Sequence, residues 1–177
     1  AVRHDGRANP NQMVISSENL SELESLREEL ITTHETEFGN TADLVIGLQL
    51  THSGRFAKPD FHDRMQPRTA QRNVLLDSRC GITDDSALFS DDEITVLVED
   101  FIRAACLAEQ AGFRFVDIKH CHGYLGHELL SGFDRPGKYG GSFENRTRFL
   151  REIVDGISSR TPSLEIAVRI SIFDFLP

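Results

Sequence analysis

The side chains best suited to chemistry follow a short apolar stretch in the second half of the chain. Residues 115–118 (FVDI) have the composition of a β-strand, and residues 119–124 (KHCHGY) follow with a cluster of proton-donating side chains and a glycine. In an α/β barrel the catalytic residues lie at the carboxyl ends of the strands. The order strand, then donor cluster, therefore predicts that residues 119–124 line the mouth of such a barrel.

Three helices and two further strands are expected around this strand. The first helix is predicted from Ser16-Ser17 to Gly39, and the second from the capping box at 90–93 to about Gln110. The third begins at Ser142, and its core face is Phe149, Ile153, Val154 and Ile157. The strands are predicted at 44–50 (LVIGLQL) and 164–170 (LEIAVRI). Residues 44–50 show no alternation, as expected of a strand buried on both faces of a parallel sheet. Residues 56–89 are polar and predict a long, functional loop.

The order of these elements predicts the fold class. Helices and strands alternate along the chain, and a repeated β-α-β order forms a parallel sheet with helices outside it. We therefore expect an α/β fold of the parallel (β/α) barrel type. The 177 residues are enough for one domain with a core, and they contain no linker or internal repeat.

Composition narrows the classes of partner. The net charge of −9 argues against a nucleic-acid surface or an anionic membrane surface. No apolar run approaches the roughly 18 residues of a membrane span, and the first residues do not resemble a signal peptide. The three cysteines (Cys80, Cys106 and Cys121) are irregularly spaced, which predicts a reduced, cytoplasmic protein.

Three strand ends together resemble the old yellow enzyme family of FMN-dependent NADH:flavin oxidoreductases and ene-reductases. Residues 49–55 (QLTHSGR) match its QLxHxGR motif, and residues 116–125 (VDIKHCHGYL) match VEIHxAHGYL. Residues 139–149 (YGGSFENRTRF) match YGGSxENRxRF, and residues 168–171 (VRIS) match VRxS. All the motifs occur in the family's order and spacing.

The resemblance implies a place in a larger barrel. Members of the family have an eight-stranded TIM barrel, and this chain aligns with the third, fourth and fifth strands. A complete barrel needs about 250 residues. Residues 1–177 are therefore expected to form a single partial barrel domain, as an internal fragment or a truncated relative.

The resemblance also implies FMN as cofactor, NAD(P)H as reductant and a small-molecule substrate. Gln49 is expected to hydrogen-bond the polar edge of the flavin pyrimidine ring, and Arg169 to lie beside the flavin N1–C2 carbonyl. Other interpretations of the two residues are an amide that ties adjacent strands for Gln49, and a salt bridge to Asp174 for Arg169.

His122 and Tyr124 match the substrate-activating residue and the proton-donating tyrosine of the family. Lys119 stands where the family usually has histidine, so its expected place is the site, with a role in polarising a carbonyl, binding a carboxylate or contacting the flavin. His52 and Arg55 are expected to support the loop that follows the first strand.

Two alternative functions follow from other features. His120 and His122, two residues apart, would lie on one face of a strand, as in metal-dependent barrel hydrolases. The other alternative is a non-catalytic fragment that cannot hold FMN, because the phosphate-binding site of the family is absent. It predicts exposed apolar strand edges at 44–50 and 164–170, and therefore a homo-oligomer or aggregation.

Overall fold

The computed structural model describes residues 1–172, in which helices pack against one face of a three-stranded sheet. Its main elements, in chain order, are α1 (Leu20–Phe38), β1 (Gly47–Leu50), α2 (Val74–Cys80), α3 (Asp91–Gln110), β2 (Phe115–His120), α4 (Leu125–Leu130), α5 (Phe143–Arg160) and β3 (Glu165–Ile170). Single 3-10 turns lie at His4–Gly6, Ser17–Asn19, Gly54–Phe56 and Asp85–Ala87.

The sheet confirms the predicted parallel topology. The strand order is β1-β2-β3, and both pairs of neighbours run parallel. β1 and β2 are each followed by a helical crossover that returns the chain to the same end of the sheet, as in a β-α-β unit. The carboxyl ends of the strands therefore meet at one edge.

The helices begin and end where the sequence indicates. Ser90 starts α3 through a capping box, in which the Glu93 amide donates to Ser90 Oγ (3.2 Å) and the Ser90 amide donates to Glu93 Oε2 (2.8 Å). Ser142 Oγ accepts from the amide of Asn145 (3.2 Å) at the start of α5. Gly39 ends α1 with a left-handed φ of 76°, which glycine adopts at little cost.

The core lies between the sheet and two of the three long helices, α3 and α5. Phe101 of α3 packs edge-on against Phe149 of α5, with ring centroids 5.7 Å apart, and both are almost completely buried. Val116 and Ile118 of β2 are fully buried beneath them. Burial of apolar side chains on one face of the sheet is the main favourable contribution to this packing.

Two predictions about local structure were wrong, and one short helix was not predicted. The stretch 44–50 is not buried on both faces: β1 covers only its last four residues, and Gln49 is exposed. The segment 56–89 is not a continuous loop, because α2 forms within it, capped by Asn73. The short helix α4 was not predicted, because the sequence showed only the glycine-containing turn before it.

Candidate active site

The two faces of β2 differ in character. Val116, Ile118 and His120 face the helices and are buried, whereas Asp117 and Lys119 point to the other face and are half-buried. Parallel register sets Gln49 opposite Asp117, and Lys119 opposite Arg169. Because residues opposite each other lie on the same face of a sheet, four polar side chains share this face near the carboxyl ends of the strands.

Asp117 connects the two predicted cofactor-binding residues. Gln49 Nε2 donates a hydrogen bond to Asp117 Oδ2 (2.7 Å), and Arg169 Nη2 lies 3.3 Å from the same oxygen. The salt bridge of Arg169 is therefore made with Asp117. The alternative partner, Asp174, lies outside the described residues. Interpreting Gln49 as an amide that ties adjacent strands also has support here, since its bond to Asp117 joins β1 to β2.

Lys119 and Tyr124 lie against each other at the mouth. The Lys119 Nζ atom is 3.8 Å from the centroid of the Tyr124 ring, which is a cation–π contact. Tyr124 is the residue immediately before α4 and is half-buried. Within residues 1–172 its hydroxyl makes no hydrogen bond, so it is free to face a ligand.

The turn after β2 holds His122 in a strained conformation. His122 has a φ of 61°, and within residues 1–172 it is the non-glycine residue with a left-handed backbone. Its amide donates to Ser171 Oγ (3.3 Å), which joins the turn to the end of β3. Strain of this kind occurs preferentially at functional sites. His122 is exposed and precedes Tyr124 by two residues.

The structure does not support pairing His120 with His122. β2 ends at His120, whose ring turns into the core against Phe149 at 5.6 Å, while His122 lies beyond the strand and is exposed. The prediction that both lie on one face of a strand was wrong, because the chain leaves the strand between them. Among the described residues, no three histidine, cysteine, aspartate or glutamate side chains come together as metal ligands.

Burial of His120 predicts an acid-sensitive core. Desolvation, with a smaller effect from His127, lowers the pKa of His120 to about 4, from the ordinary value near 6.5. Because the pKa of His120 is lower in the folded chain, the unfolded chain binds the proton more tightly. The free energy of unfolding is therefore unaffected by His120 protonation above pH 6.5 and falls as the pH approaches 4. Over that range the loss attributable to His120 is up to about 3 kcal/mol.

We expect His120→Leu to flatten this dependence. The loss of unfolding free energy between pH 7 and pH 4, measured by urea denaturation, should be smaller in the variant than in the wild type. The exposed His62 provides the control, and His62→Leu should keep the wild-type slope. Equal slopes for the wild type and His120→Leu would contradict the assignment.

Arg55 lies at the centre of a buried ionic network. This network supports the segment that follows β1, which is the role predicted for Arg55. Its guanidinium donates to Glu128 Oε1 (Nε, 3.0 Å), Asp77 Oδ1 (Nη1, 2.5 Å) and Thr69 Oγ1 (Nη2, 2.8 Å). Burial raises the pKa of Asp77, but hydrogen bonds from Arg72 and Arg55 outweigh it and hold this pKa below its ordinary value. The network fastens the segment after β1 to α4, which starts next to Tyr124.

His52 also belongs to this support, as predicted. Its Nδ1 accepts from the amide of Gly54 (3.1 Å), and its ring packs edge-on against Phe89 at 5.4 Å. Desolvation lowers the pKa of the buried imidazole. Both His52 and Arg55 are almost fully buried.

The sequence model of the NADH:flavin oxidoreductase / NADH oxidase family matches residues 1–176. The chain belongs to this family. Membership favours the flavin interpretation of the strand ends over the metal-dependent hydrolase, and it confirms the resemblance to the old yellow enzymes.

Curated relatives in the family include plant and bacterial enzymes. The chain is 34% identical to 12-oxophytodienoate reductase 1 of Oryza sativa subsp. japonica over 134 residues, which are 73% of this chain and 35% of the relative. It is 36% identical to NADPH dehydrogenase of Bacillus subtilis (strain 168) over 135 residues, 73% of this chain and 36% of the relative. The chain thus spans little more than a third of the length of these relatives.

Solved structures show the same fold. Morphinone reductase in complex with tetrahydroNAD superposes with a TM-score of 0.69 at 23% identity, covering 94% of this chain and 48% of that one. Old Yellow Enzyme from Pichia sp. AKU4542 superposes with a TM-score of 0.69 at 22% identity, covering 94% of this chain and 44% of that one. These neighbours are TIM barrels, and the chain shares the α/β architecture with its parallel sheet.

Two site features were missed from the sequence. Asp117 was assigned only to the strand, although an acid in an apolar strand is costly unless it is paired. Glu128 was overlooked within the apolar stretch of α4, where it accepts from the amide of Ala70 (3.0 Å) as well as from Arg55. In both cases an isolated carboxylate among apolar residues was the available signal.

In residues 1–172, no helix is both long enough and apolar enough to cross a membrane.

Proposed function

We propose that this chain forms the flavin-binding and substrate-activating end of an FMN-dependent oxidoreductase, which transfers hydride from NAD(P)H through the flavin to an activated alkene or a similar electrophile. The observation that carries the proposal is the convergence of Gln49, Arg169, Lys119 and the turn at His122 and Tyr124 on one edge of the sheet. The relatives' names, NADPH dehydrogenase and 12-oxophytodienoate reductase, support a nicotinamide reductant and an unsaturated substrate.

The residues on the open face fit the pyrimidine end of FMN. Within residues 1–172 the Oε1 atom of Gln49 accepts no hydrogen bond, so it is free to accept from the ring. Arg169 has a side chain that is 60% exposed, and its guanidinium provides the positive charge that favours a reduced, anionic ring. These two residues would hold that end of the cofactor.

The other residues of the mouth act on the substrate. When bound, FMN supplies hydride transfer between NAD(P)H and the β-carbon of the alkene. His122 and Lys119 donate hydrogen bonds to the substrate carbonyl oxygen, which draws electron density away from the double bond. Tyr124 then delivers the phenolic proton from its Oη atom to the α-carbon as general acid.

The same proposal includes the place of this segment in the enzyme. Its three strands correspond to the third, fourth and fifth strands of an eight-stranded barrel, with residues 1–177 as one partial domain. The match of 94% of this chain to less than half of the morphinone reductase chain supports this correspondence. The cytoplasmic location and the homo-oligomer stay predictions from the cysteines and the strand edges.

A non-catalytic segment is the second candidate. Val168 and Ile170 of β3 are 38% and 48% exposed, and within the described residues β3 pairs only with β2. An apolar strand edge of this kind pairs readily with another chain. On this candidate the 177 residues associate with one another and retain no flavin.

A visible absorption spectrum after addition of FMN and desalting separates the two candidates. The proposed function predicts a retained flavin band that NADPH or NADH bleaches in the absence of oxygen. Arg169→Met should weaken retention, whereas Arg114→Met, at the amino end of β2 and exposed, should not. A colourless protein that elutes as an oligomer would favour the non-catalytic segment.

A further inference from the structure

Asp117 is the carboxylate that lies between the two proposed flavin-binding residues. It occupies the central strand, with Gln49 on one neighbour and Arg169 on the other, and its side chain is only 14% exposed. One oxygen, Oδ2, meets both Gln49 Nε2 at 2.7 Å and Arg169 Nη2 at 3.3 Å. One carboxylate oxygen of Asp117 thus contacts both the side-chain amide of Gln49 and the charged guanidinium of Arg169.

The first consequence concerns the orientation of the Gln49 amide. An ionised carboxylate is only an acceptor, so the amide must present its NH2 group to Asp117. The Gln49 Oε1 atom is then left as an acceptor on the open face. The pyrimidine ring of a flavin carries an imide N–H, which is the donor that this oxygen requires.

The second consequence concerns charge. Asp117 offsets part of the positive charge of Arg169, so the field at the open face is weaker than a lone guanidinium would produce. Lys119 lies opposite Arg169 in the register and adds a second cation nearby. Removing the Asp117 carboxylate would leave Arg169 without this partner.

We propose that Asp117 is a positioning residue, and this inference rests on the proposed function. Asp117 orients Gln49 to accept a hydrogen bond from the flavin imide, and it offsets part of the positive charge of Arg169. Asp117→Asn should weaken FMN binding about tenfold, because asparagine pairs with either orientation of the glutamine amide. It should also shift the equilibrium toward reduced flavin about tenfold, which is about 30 mV for two electrons.

The measurements are FMN dissociation constants by fluorescence quenching and flavin midpoint potentials, both on the full chain. Asp117→Glu keeps the carboxylate and should retain most of the wild-type affinity. Glu165→Gln is the matched control, because it removes one charge from the same sheet face at the opposite end of β3. Glu165 is four residues from Arg169, or about 13 Å along a strand, so the control should leave both quantities unchanged.

A readout without flavin tests the orientation itself. In NMR spectra of the unliganded chain, the side-chain NH2 resonances of Gln49 should show one slowly exchanging proton. Asp117→Asn should reduce that protection, because the amide then also populates the orientation in which its oxygen accepts from asparagine. Should Asp117→Asn fail to fold, Asp117→Thr removes the carboxylate with a residue suited to a strand.

The outcomes separate the two proposals. A wild-type chain that binds no FMN would count against the proposed function, and the Gln49 resonances would then decide the role of Asp117 by themselves. Unchanged Gln49 resonances, or an unchanged affinity and potential in Asp117→Asn, would overturn the positioning role. An equal effect of Glu165→Gln would overturn it as well, since a general charge effect would explain the result.

Discussion

Replacing Arg55 by methionine should lower the free energy of unfolding by about 3–5 kcal/mol, the cost of removing one partner from a buried ion pair. The guanidinium is almost completely buried and is bound by Glu128, Asp77 and Thr69. Methionine fills much of the same space but leaves Glu128 without its cation and Asp77 with Arg72 alone. Chemical denaturation monitored by circular dichroism measures the change.

Arg160 offers the matched control for this prediction. It also forms a two-point ion pair with a carboxylate, Glu99, at 2.9 and 3.2 Å, but both side chains are about half exposed. Arg160→Met should therefore cost less than about 1 kcal/mol. If the two variants lost similar stability, burial would not be what makes the Arg55 network important.

Removing the hydroxyl of Tyr124 should slow alkene reduction by the flavin-loaded enzyme about 10²- to 10⁴-fold, the usual contribution of a general acid. Tyr124→Phe keeps the aromatic ring that contacts Lys119 at 3.8 Å. The hydroxyl makes no hydrogen bond within residues 1–172, so its removal leaves no described partner unpaired. The variant thus isolates the proton donor from the packing of the site.

Separate half-reactions provide the control for Tyr124→Phe. In anaerobic stopped-flow experiments, reduction of the flavin by NAD(P)H should keep its wild-type rate, because no proton from Tyr124 is involved. Reoxidation by ferricyanide, which accepts electrons without a proton at carbon, should also be unchanged. A comparable slowing with ferricyanide would show that Tyr124 acts on the flavin environment instead of the substrate.

Arg55→Met and Tyr124→Phe change the same part of the molecule. Arg55 is buried, whereas Tyr124 is half-buried at the mouth of the site. Arg55 and Glu128 hold α4 against the segment after β1, and α4 begins directly after Tyr124. Small displacements of a catalytic group reduce the rate strongly. A milder change in the network, Arg55→Lys, should therefore lower the alkene reduction rate at temperatures where the protein stays folded.

The sequence by itself determined the three long helices, the three strands and their order, but not the short helices α2 and α4. Capping residues such as Ser90 and Ser142 define helix starts through local hydrogen bonds, and the apolar periodicity of α3 and α5 defines their buried faces. The parallel sheet followed from the alternation of helices and strands, which confirms the predicted topology. The motifs were also sufficient to identify the family, since each motif is a continuous stretch of the sequence.

Only the tertiary structure decided which side chains meet. The bond between Gln49 and Asp117 joins residues 68 positions apart, and the contact of Arg169 with Asp117 depends on the register between β2 and β3. His120 and His122 are neighbours in sequence, yet the end of β2 sends one ring into the core and leaves the other exposed. Local patterns specify secondary structure because its hydrogen bonds are local, whereas the site depends on strand register and on which face of the sheet the helices cover.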